Sequence, residues 1–277
     1  MVIVQLIGGL GNQMFQYACA KSVSIRNNVR LILDVSIYSQ NIEALTPRVF
    51  ELSAFNINAD ILSNQIISES QKKELDYYTE DSWCKYDKDI ECIESPCYLA
   101  GYWQSWKYFN HISALIRSDF SFNESQLSSS VIKLGEILSN SPSVSIHIRR
   151  TDYLQYTFIQ VTPIQYYKKA IEYLCDRIPM LTFYVFSDDA NWVKNHLDIP
   201  VQFCVIEKNT GIEDMYLMSH CRYNIIANST FSWWAAWLNC FSEKIVIAPQ
   251  VWGVGSDRSD CDVTKTDIIP PSWVCLY

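Results

Sequence analysis

The sequence predicts an α/β protein with two Rossmann-like domains that face a central cleft. Three observations support this fold class. The chain opens with a short apolar run, a glycine turn and a helical pattern. Its second half alternates short apolar runs with helical patterns, and proline and serine interrupt the stretch between the two regions. With 277 residues, 49% of them hydrophobic, the chain is long enough and apolar enough for two cores of that size.

The N-terminal region has the order strand, turn, helix, strand. The run Val2–Leu6 is apolar and short, and the glycine turn Gly8-Gly-Leu-Gly11 follows it. Apolar residues then recur at helical spacing over Asn12–Ile25, and Leu31–Leu33 forms the next apolar run. This order is that of a βαβ unit.

The middle of the chain is less regular and contains the predicted domain boundary. We expect a strand at Cys97–Ala100 and a helix near Val131–Leu138. The segment Ser139-Asn-Ser-Pro142 would end that helix, because a residue before proline avoids helical backbone. We therefore predict an N-terminal domain at 1–140 and a C-terminal domain at 141–277.

The second half alternates strands and helices regularly, which predicts a doubly wound parallel sheet. Thr162 is expected to be the N-cap of the first helix, with Pro163 as its first residue. The predicted strands are Val144–Ile148, Thr182–Phe186, Val201–Val205, Asn224–Ala227 and Lys244–Ala248, and the later helices are Ala190–Leu197, Glu213–Cys221 and Thr230–Cys240.

Composition and charge exclude several classes of protein. A net charge of −8 without a basic stripe argues against a nucleic-acid partner. No apolar run reaches the ~18 residues of a membrane-spanning helix, and the N-terminus has no secretory signal pattern. The ten cysteines form no disulfide or zinc pattern, so we interpret them as reduced core residues of a cytoplasmic protein. No basic amphipathic helix requires peripheral membrane contact, although such contact stays open.

The segment Ser145-Ile-His-Ile-Arg-Arg-Thr-Asp-Tyr153 carries the main candidate site. Apolar residues alternate with polar ones, so Arg149 and Arg150 follow the end of a strand, where α/β sheets bind ligands. A guanidinium fork matches phosphate oxygens and could hold a diphosphate without metal. The structural alternative is a surface ion pair with Asp152.

A second candidate is the turn Asn228-Ser-Thr-Phe-Ser232, between a predicted strand and helix. Its hydroxyls and the N–H groups of a helix start suit an anion. The alternative is an ordinary Ser/Thr cap. If both motifs lie on one sheet, they would meet near a single diphosphate.

The glycine turn does not fit the dinucleotide pattern, because Met14 stands where the third glycine is required. A nicotinamide dehydrogenase is therefore disfavoured. The glycines still allow close approach of a ligand to the backbone, with a tight turn as the structural alternative.

Two acidic pairs have open interpretations. Asp188 and Asp189 could bind a divalent ion, but an acidic pair that opens a helix is more often a cap. Glu213 and Asp214 have the same structural alternative. A carboxylate of that pair could instead accept two N–H donors from a guanine edge.

Together these motifs resemble bacterial α-1,2-fucosyltransferases of glycosyltransferase family 11, and the resemblance covers nearly the whole chain. It implies inverting transfer of L-fucose from GDP-fucose to the 2-hydroxyl of a terminal galactose, with no essential metal or other cofactor. It also implies a GT-B-like, two-domain fold, with an acceptor-side domain at 1–140 and a GDP-fucose-binding domain at 141–277. The motifs are Gly8-Gly-Leu-Gly-Asn-Gln-Met-Phe-Gln-Tyr17, Gly101-Tyr-Trp-Gln-Ser105, His147-Ile-Arg-Arg-Thr-Asp-Tyr153, Phe186-Ser-Asp-Asp189 and Ile226-Ala-Asn-Ser-Thr-Phe-Ser-Trp-Trp-Ala-Ala-Trp-Leu238.

The resemblance assigns roles to particular residues. Arg149 would grip the β-phosphate, and Asn12 would face fucose and acceptor. Asp152 is the first candidate for a general base, although it could instead orient the arginines. The remaining donor-site residues are His147 beside guanosine, Arg150, Asp214 for guanine, Asn228, Ser229, Thr230 and Ser232 for phosphate, and Gly9 and Gln13 in the first loop.

Some points stay open on this resemblance. Thr151 and Ala235 stand where the family more often has glycine, which affects the expected loop geometry. A transferase of α-1,6 or O-fucosyl type and a non-catalytic carbohydrate-binding protein remain alternatives. We expect an oligosaccharide acceptor, lipid-linked or not, in O-antigen or related polysaccharide assembly, with acceptor specificity encoded between Tyr38 and Lys107.

Overall fold

The computed structural model describes residues 1–40, 47–63, 66–155, 160–253, 261–262 and 266–277. Over these residues the chain forms two compact units. Unit 1 comprises Met1–Phe122 with Thr266–Ile268, and unit 2 comprises Asn123–Lys265 with Ile269–Tyr277. The predicted α/β class with two Rossmann-like units is confirmed.

Unit 1 contains a five-stranded parallel sheet of order β3-β2-β1-β5-β4. Val4, Leu33 and Leu99 share one face of this sheet and are fully buried. The long helix α1 is packed along almost its whole length, so it is far more buried than a surface helix. The elements of unit 1 are β1 Val2–Gln5, α1 Leu10–Arg26, β2 Leu31–Asp34, β3 Asp60–Ile61, α2 Glu69–Lys72, β4 Asp76–Thr79, β5 Cys97–Ala100 and α3 Ser113–Asp119.

Unit 2 contains a six-stranded parallel sheet of order β13-β10-β9-β6-β7-β8, with a small antiparallel pair of β11 and β12 beside it. This order is the doubly wound order of a dinucleotide-binding domain. Its elements are α4 Ser129–Ser139, β6 Ser143–Ile148, α5 Ile164–Cys175, β7 Thr182–Ser187, α6 Ala190–His196, β8 Phe203–Ile206, α7 Gly211–His220, β9 Tyr223–Ile225, α8 Thr230–Leu238, β10 Val246–Pro249, β11 Val251–Gly253, β12 Cys261–Asp262 and β13 Val274–Leu276.

The boundary between the units lies before α4, not near residue 140 as the sequence suggested. Helix α4 packs against α7, where Gly135 approaches the ring of Tyr216 so closely that a Cβ would stand 2.6 Å from a ring carbon. The N-terminus of α4 is also tied to α7, because the Ser128 N–H donates to Glu213 at 3.1 Å. These contacts assign the helix to unit 2.

The start of α5 differs from the prediction. Pro163 has extended backbone and occupies the N-cap position without a side-chain bond, so Thr162 is not the cap. The Thr162 hydroxyl instead donates to the side chain of Asn228 at 2.9 Å. A long-range hydrogen bond has replaced the expected local one.

The prediction of core cysteines is only partly correct. Of the described cysteines, Cys19, Cys84, Cys97 and Cys221 are buried, whereas Cys92, Cys175, Cys204, Cys240 and Cys275 are exposed. No described helix is both long and apolar enough to span a membrane.

Candidate functional site

The sheet of unit 2 has a topological switch point between its neighbouring strands β6 and β9. The chain leaves β6 towards β7 on one side and leaves β9 towards β10 on the other. Loops after two such strands diverge and leave a crevice at the carboxyl edge, where open α/β sheets bind ligands. Arg149 directly follows β6, and the Asn228–Ser232 turn follows β9. The structure therefore brings the two predicted phosphate motifs to one sheet edge.

Arg149 is held by two carboxylates. Its Nε and one terminal nitrogen donate to both oxygens of Asp152, at 2.9 and 2.5 Å. Its other terminal nitrogen lies 3.2 Å from Asp188. Burial lowers the pKa of Arg149, but the bond to Asp152 and the charge of Asp188 outweigh it, so the pKa lies above its ordinary value. The cation is permanent and its orientation is fixed.

Asp188 also anchors the turn that carries the arginines. Its carboxylate accepts hydrogen bonds from the backbone N–H groups of Arg150, at 2.9 Å, and Thr151, at 3.1 Å. The Thr151 hydroxyl donates to the same carboxylate, a contact that glycine at this position would lack. Asp189 is the N-cap of α6 and accepts from the N–H of Trp192. The cap interpretation was therefore right for Asp189, and the role of Asp188 was missed.

Asp152 is positioned to orient the guanidinium of Arg149. Its residue is 6% exposed, and both oxygens are engaged by the Arg149 guanidinium. Both oxygens thus serve to hold the arginine in place, as in a two-point carboxylate–guanidinium pair. This geometry favours the orienting role over the general-base role.

His147 lies on β6 just before the arginines and is buried. Its Nδ1 has no hydrogen-bond partner in the described structure, and its ring lies 5.6 Å from that of Phe231. Burial lowers the pKa of His147 to about 4, with the charge of Arg149 acting in the same direction and Asp188 opposing it. The ring is therefore neutral near pH 7, and Nδ1 is a buried polar atom that a ligand could satisfy.

Arg150 points away from Arg149. Its guanidinium lies over the ring of Trp192, 3.8 Å from the centroid, and its Nε is 3.8 Å from Asp189. The structure does not bring Arg150 into the Arg149 cluster, because Asp188 holds only its backbone.

The turn after β9 divides into scaffold and candidate ligand groups. The Asn228 amide donates to the carbonyls of Gln160 and Trp252, at 2.9 and 3.1 Å, and Tyr153 donates to the Asn228 carbonyl. The Asn228 side chain therefore holds loops together, and its donor-site role stays a prediction. The Ser232 hydroxyl bonds back to the Ser229 carbonyl at 3.2 Å.

Ser229 and Thr230 lie at the start of α8. Ser229 is its N-cap residue and makes no side-chain capping bond. The first turn of a helix presents N–H groups that have no partner within the helix, and these suit an anion. The turn thus presents backbone N–H donors at the same edge as Arg149.

Asp214 lies in the first turn of α7, close to the capping box made by Thr210 and Glu213. The box uses Glu213, which also accepts from Ser128, so only Asp214 remains as a guanine candidate. Asp214 accepts from the Asn209 amide at 3.0 Å. Burial raises the pKa of Asp214 to about 6, against the Asn209 hydrogen bond and with a smaller contribution from Glu213. Phe231 lies 3.8 Å from a Cβ built on Gly211, so Phe231 lies between the start of α7 and His147.

In the sheet of unit 1, β1 pairs with β2 on one side and with β5 on the other, and the first glycine motif follows β1 at the carboxyl edge. Gly8 has φ +79°, and a Cβ would stand 2.5 Å from the Asn12 amide nitrogen, so this position requires glycine. Asn12 accepts from the Gln104 amide at 3.0 Å. The two quoted motifs of unit 1 therefore meet at one edge.

Two glutamines fix the loops at that edge. Gln13 donates to the carbonyls of Gly8 and Val49 and accepts from the N–H of Glu51, so its side chain is used within the protein, and its donor-site role stays a prediction. Gln16 accepts from Ile7 and donates to Gly101, both at 3.0 Å, and thereby joins the loops after β1 and β5. Gln16 was not among the predicted site residues, although it lies in the first motif.

Gly9 is an N-cap residue of α1 with extended backbone. A Cβ there would lie 3.3 Å from the guanidinium of Arg48. Gly9 thus lies beside a cation that the sequence reading did not consider.

These features define an α/β protein with an arginine clamp and a helix N-terminus at the switch point of a doubly wound sheet. Residues 1–276 match glycosyl transferase family 11, and the chain belongs to that family. It is 34% identical over 293 residues to the O-antigen biosynthesis glycosyltransferase WbnK of Escherichia coli, covering 92% of this chain and 95% of that protein.

Two further relatives and two solved structures extend the comparison. An α-1,2-colitosyltransferase of Escherichia coli is 33% identical over 298 residues, covering 99% of this chain and 98% of that protein. Human galactoside α-(1,2)-fucosyltransferase 1 is 26% identical, covering 83% of this chain and 63% of that protein.

Among solved structures, Arabidopsis thaliana FUT1 in complex with GDP superposes with TM-score 0.51 and 12% identity, over 97% of this chain and 74% of that one. POFUT1 in complex with GDP gives TM-score 0.50 and 10% identity, over 86% and 94% of the two chains. These likenesses confirm the GT-B-like class of fold.

Proposed function

We propose that this glycosyltransferase moves L-fucose from GDP-fucose to the 2-hydroxyl of a terminal galactose, with inversion at the anomeric carbon. The observation that carries the proposal is the Arg149 clamp at the switch point of unit 2, opposite the start of α8. Departure of GDP places negative charge on the β-phosphate, and preorganised donors stabilise that charge without reorganising. In this proposal the fixed arginine does the work that a metal ion does in other transferases.

The donor pocket is assigned to residues of unit 2. Arg149 and the first turn of α8 hold the diphosphate, His147 and Phe231 lie beside the nucleoside, and Asp214 accepts from the guanine edge. During transfer the bond from fucose C1 to the β-phosphate oxygen breaks. The acceptor O2 forms the new bond to C1 and loses its proton. The acceptor-side residues belong to unit 1, with Asn12 and Gln104 at the carboxyl edge of its sheet.

GDP-colitose is a second candidate donor, because the colitosyltransferase similarity covers almost the entire chain. Colitose is fucose without its 3-hydroxyl, so the two donors share the nucleotide and the anomeric chemistry. Family membership removes the nicotinamide dehydrogenase alternative, whereas other fucosyl linkages stay alternatives to be tested. Assembly of an O-antigen or a related polysaccharide is the role we propose, on the similarity to WbnK.

The test combines two donors with matched acceptors. Purified protein is given GDP-fucose or GDP-colitose, in EDTA and in Mg²⁺, with methyl β-galactoside or its 2-deoxy analogue. We expect transfer from GDP-fucose in EDTA, an α-linked product by NMR, and no transfer to the 2-deoxy acceptor. Faster transfer from GDP-colitose would replace the donor assignment, and product formed on the 2-deoxy acceptor would refute the linkage. Activity that requires Mg²⁺ would contradict the metal-free clamp.

A further inference from the structure

A groove of about 750 Å³ lies on one face of the sheet of unit 1. Ile3, Tyr98 and Tyr77 form one row across this face, because strand pairing places Ile3 opposite Tyr98 and Tyr98 opposite Tyr77. Leu75 lies beside the row and Asp34 lies at the end of β2. This volume falls within the range of small-ligand sites in proteins.

Two tyrosine rings form a platform on one side of the groove. The rings of Tyr77 and Tyr98 stack with centroids 5.0 Å apart and an angle of 29° between their planes. Tyr77 is 64% exposed, although a large aromatic side chain gains free energy from burial. The two rings face each other, so the apolar surface that this platform offers to the C–H face of a pyranose is the exposed ring of Tyr77.

Polar groups lie next to that platform. The Tyr98 hydroxyl donates to Asp34 at 2.7 Å, and the Ser36 N–H donates to the other oxygen of Asp34 at 3.0 Å. An ionised carboxylate offers about four lone-pair sites, so each oxygen can accept one more hydrogen bond. Gln5, Ser36 and Ser63 add uncharged polar groups to the lining. A platform with an adjoining carboxylate is able to bind a ring that has one apolar face and several hydroxyls.

Charge narrows the class of ligand. Among the described residues that line the groove, Asp34 is the only acidic side chain, and none is a lysine or an arginine. A phosphate or nucleic acid would therefore meet a carboxylate with no compensating cation. A neutral saccharide is the class that this lining fits.

The groove extends to the edge of the sheet where the first glycine motif begins. Gln5 ends β1 and Asp34 ends β2, so the groove reaches the carboxyl edge of the sheet, and Gly8 follows Gln5 by one short loop. We propose that this groove binds neutral sugar units of the acceptor that precede its terminal galactose. The acceptor part of this inference rests on the proposed function, whereas saccharide binding by the groove does not.

The test measures binding before transfer. Lacto-N-tetraose, a neutral galactose-terminated tetrasaccharide, and methyl β-galactoside are titrated by ligand-observed NMR without donor. The proteins are the wild type, Tyr77→Ala, Tyr77→Trp and Tyr78→Ala. Tyr78 is the matched control, since it neighbours Tyr77 on β4 and so points to the opposite face of the sheet. Thermal melting shows that each variant is folded.

We expect Tyr77→Ala to weaken tetrasaccharide binding about tenfold, which corresponds to one aromatic contact, and Tyr77→Trp to retain it. In transfer assays, Tyr77→Ala should raise the KM for the tetrasaccharide and leave the KM for methyl β-galactoside and for GDP-fucose unchanged. Equal effects of Tyr77→Ala and Tyr78→Ala would overturn the proposal. A change of oligomeric state in Tyr77→Ala would also overturn it, because the face would then bind a second copy of the chain.

The two proposals fail in different ways. If no sugar is transferred but tetrasaccharide binding depends on Tyr77, the proposed activity is wrong and saccharide binding by the groove is supported. If transfer occurs and neither tetrasaccharide binding nor its KM depends on Tyr77, the proposal of saccharide binding by the groove is wrong and the proposed activity is supported.

Discussion

Arg149 and Asp152 form a two-point ion pair within a single turn of chain, three residues apart. Asp152 takes the Nε donor and one terminal donor, and Asp188 approaches the other terminal nitrogen. A guanidinium has five N–H donors, so one donor remains on each terminal nitrogen. These two donors can bond to phosphate oxygens.

Replacement of Arg149 should remove most activity. We expect Arg149→Ala to reduce kcat by about 10²–10³, the usual loss for one transition-state donor. Arg149→Lys should restore little, because an ammonium group cannot pair with both carboxylates and still present two donors to phosphate. Stopped assays with GDP-fucose measure turnover, and calorimetry with GDP measures binding. The matched control is Arg177→Lys, at an exposed position. Near-normal turnover in Arg149→Lys would refute the clamp.

The neighbouring aspartates Asp188 and Asp189 should have separable roles. Asp188→Ala removes the anchor of the Arg150–Thr151 backbone and one partner of Arg149, so kcat should fall by about 10²-fold, the cost of misplacing a catalytic group by about 1 Å. Asp189→Ala removes the N-cap of α6 and should cost about 1 kcal/mol of stability, with turnover within a few-fold of wild type. Steady-state kinetics and urea unfolding on both variants make the comparison. The role of Asp188 is disproved if Asp188→Ala lowers the stability and leaves kcat unchanged.

His147 should contribute to acid sensitivity. Its pKa is lowered from 6.5 in the unfolded chain to about 4, so the folded protein resists protonation at this ring. Above pH 6.5 the ring is neutral in both the folded and the unfolded chain, so the free energy of unfolding does not depend on its titration. As the pH falls from 6.5 towards 4, the unfolded chain binds a proton at this ring and the folded protein does not, so the free energy of unfolding decreases. His147→Gln should therefore lose less stability than wild type between pH 7 and pH 4.5.

Urea unfolding across that pH range measures the slope for wild type, His147→Gln and the exposed control His196→Gln. Other titrating groups are common to the three proteins and cancel in the comparison. If all three proteins show one slope, the buried neutral state of His147 is contradicted.

Local patterns predicted much of the fold and part of the candidate site. Alternation placed Arg149 at a strand end, and the glycine turn placed Asn12 beside a helix start, because both signals depend only on neighbours in sequence. The strand β13 was missed, since three residues carry little periodicity and its pairing with β10 is a tertiary contact. The roles of Asp188 and Asn228 were also beyond local patterns, because their partners lie 37 or more residues away for Asp188 and 24 or more residues away for Asn228.

Where local propensity and tertiary packing competed, packing decided the outcome. Thr162 has the side chain of an N-cap, yet it bonds to Asn228. Gln13 has the polarity of a ligand group, yet it satisfies three backbone groups of the surrounding loops. A buried polar side chain must find partners, and those partners cannot be read from spacing.

Asp214 should make nucleoside binding depend on pH. Burial raises the pKa of Asp214 from 3.8 to about 6, so the carboxylate is ionised at pH 7.5 and largely protonated at pH 5. In the proposed site the ionised form would accept two N–H donors from guanine, whereas the protonated form has lost one acceptor. We expect the affinity for guanosine to fall about tenfold between pH 7.5 and pH 5, as the ionised fraction falls. Guanosine is the probe because it has no phosphate that titrates in this range. Asp214→Asn should bind guanosine weakly and with little pH dependence. If Asp214→Asn keeps the wild-type pH profile, another group must read the base, because His147 stays neutral over this range.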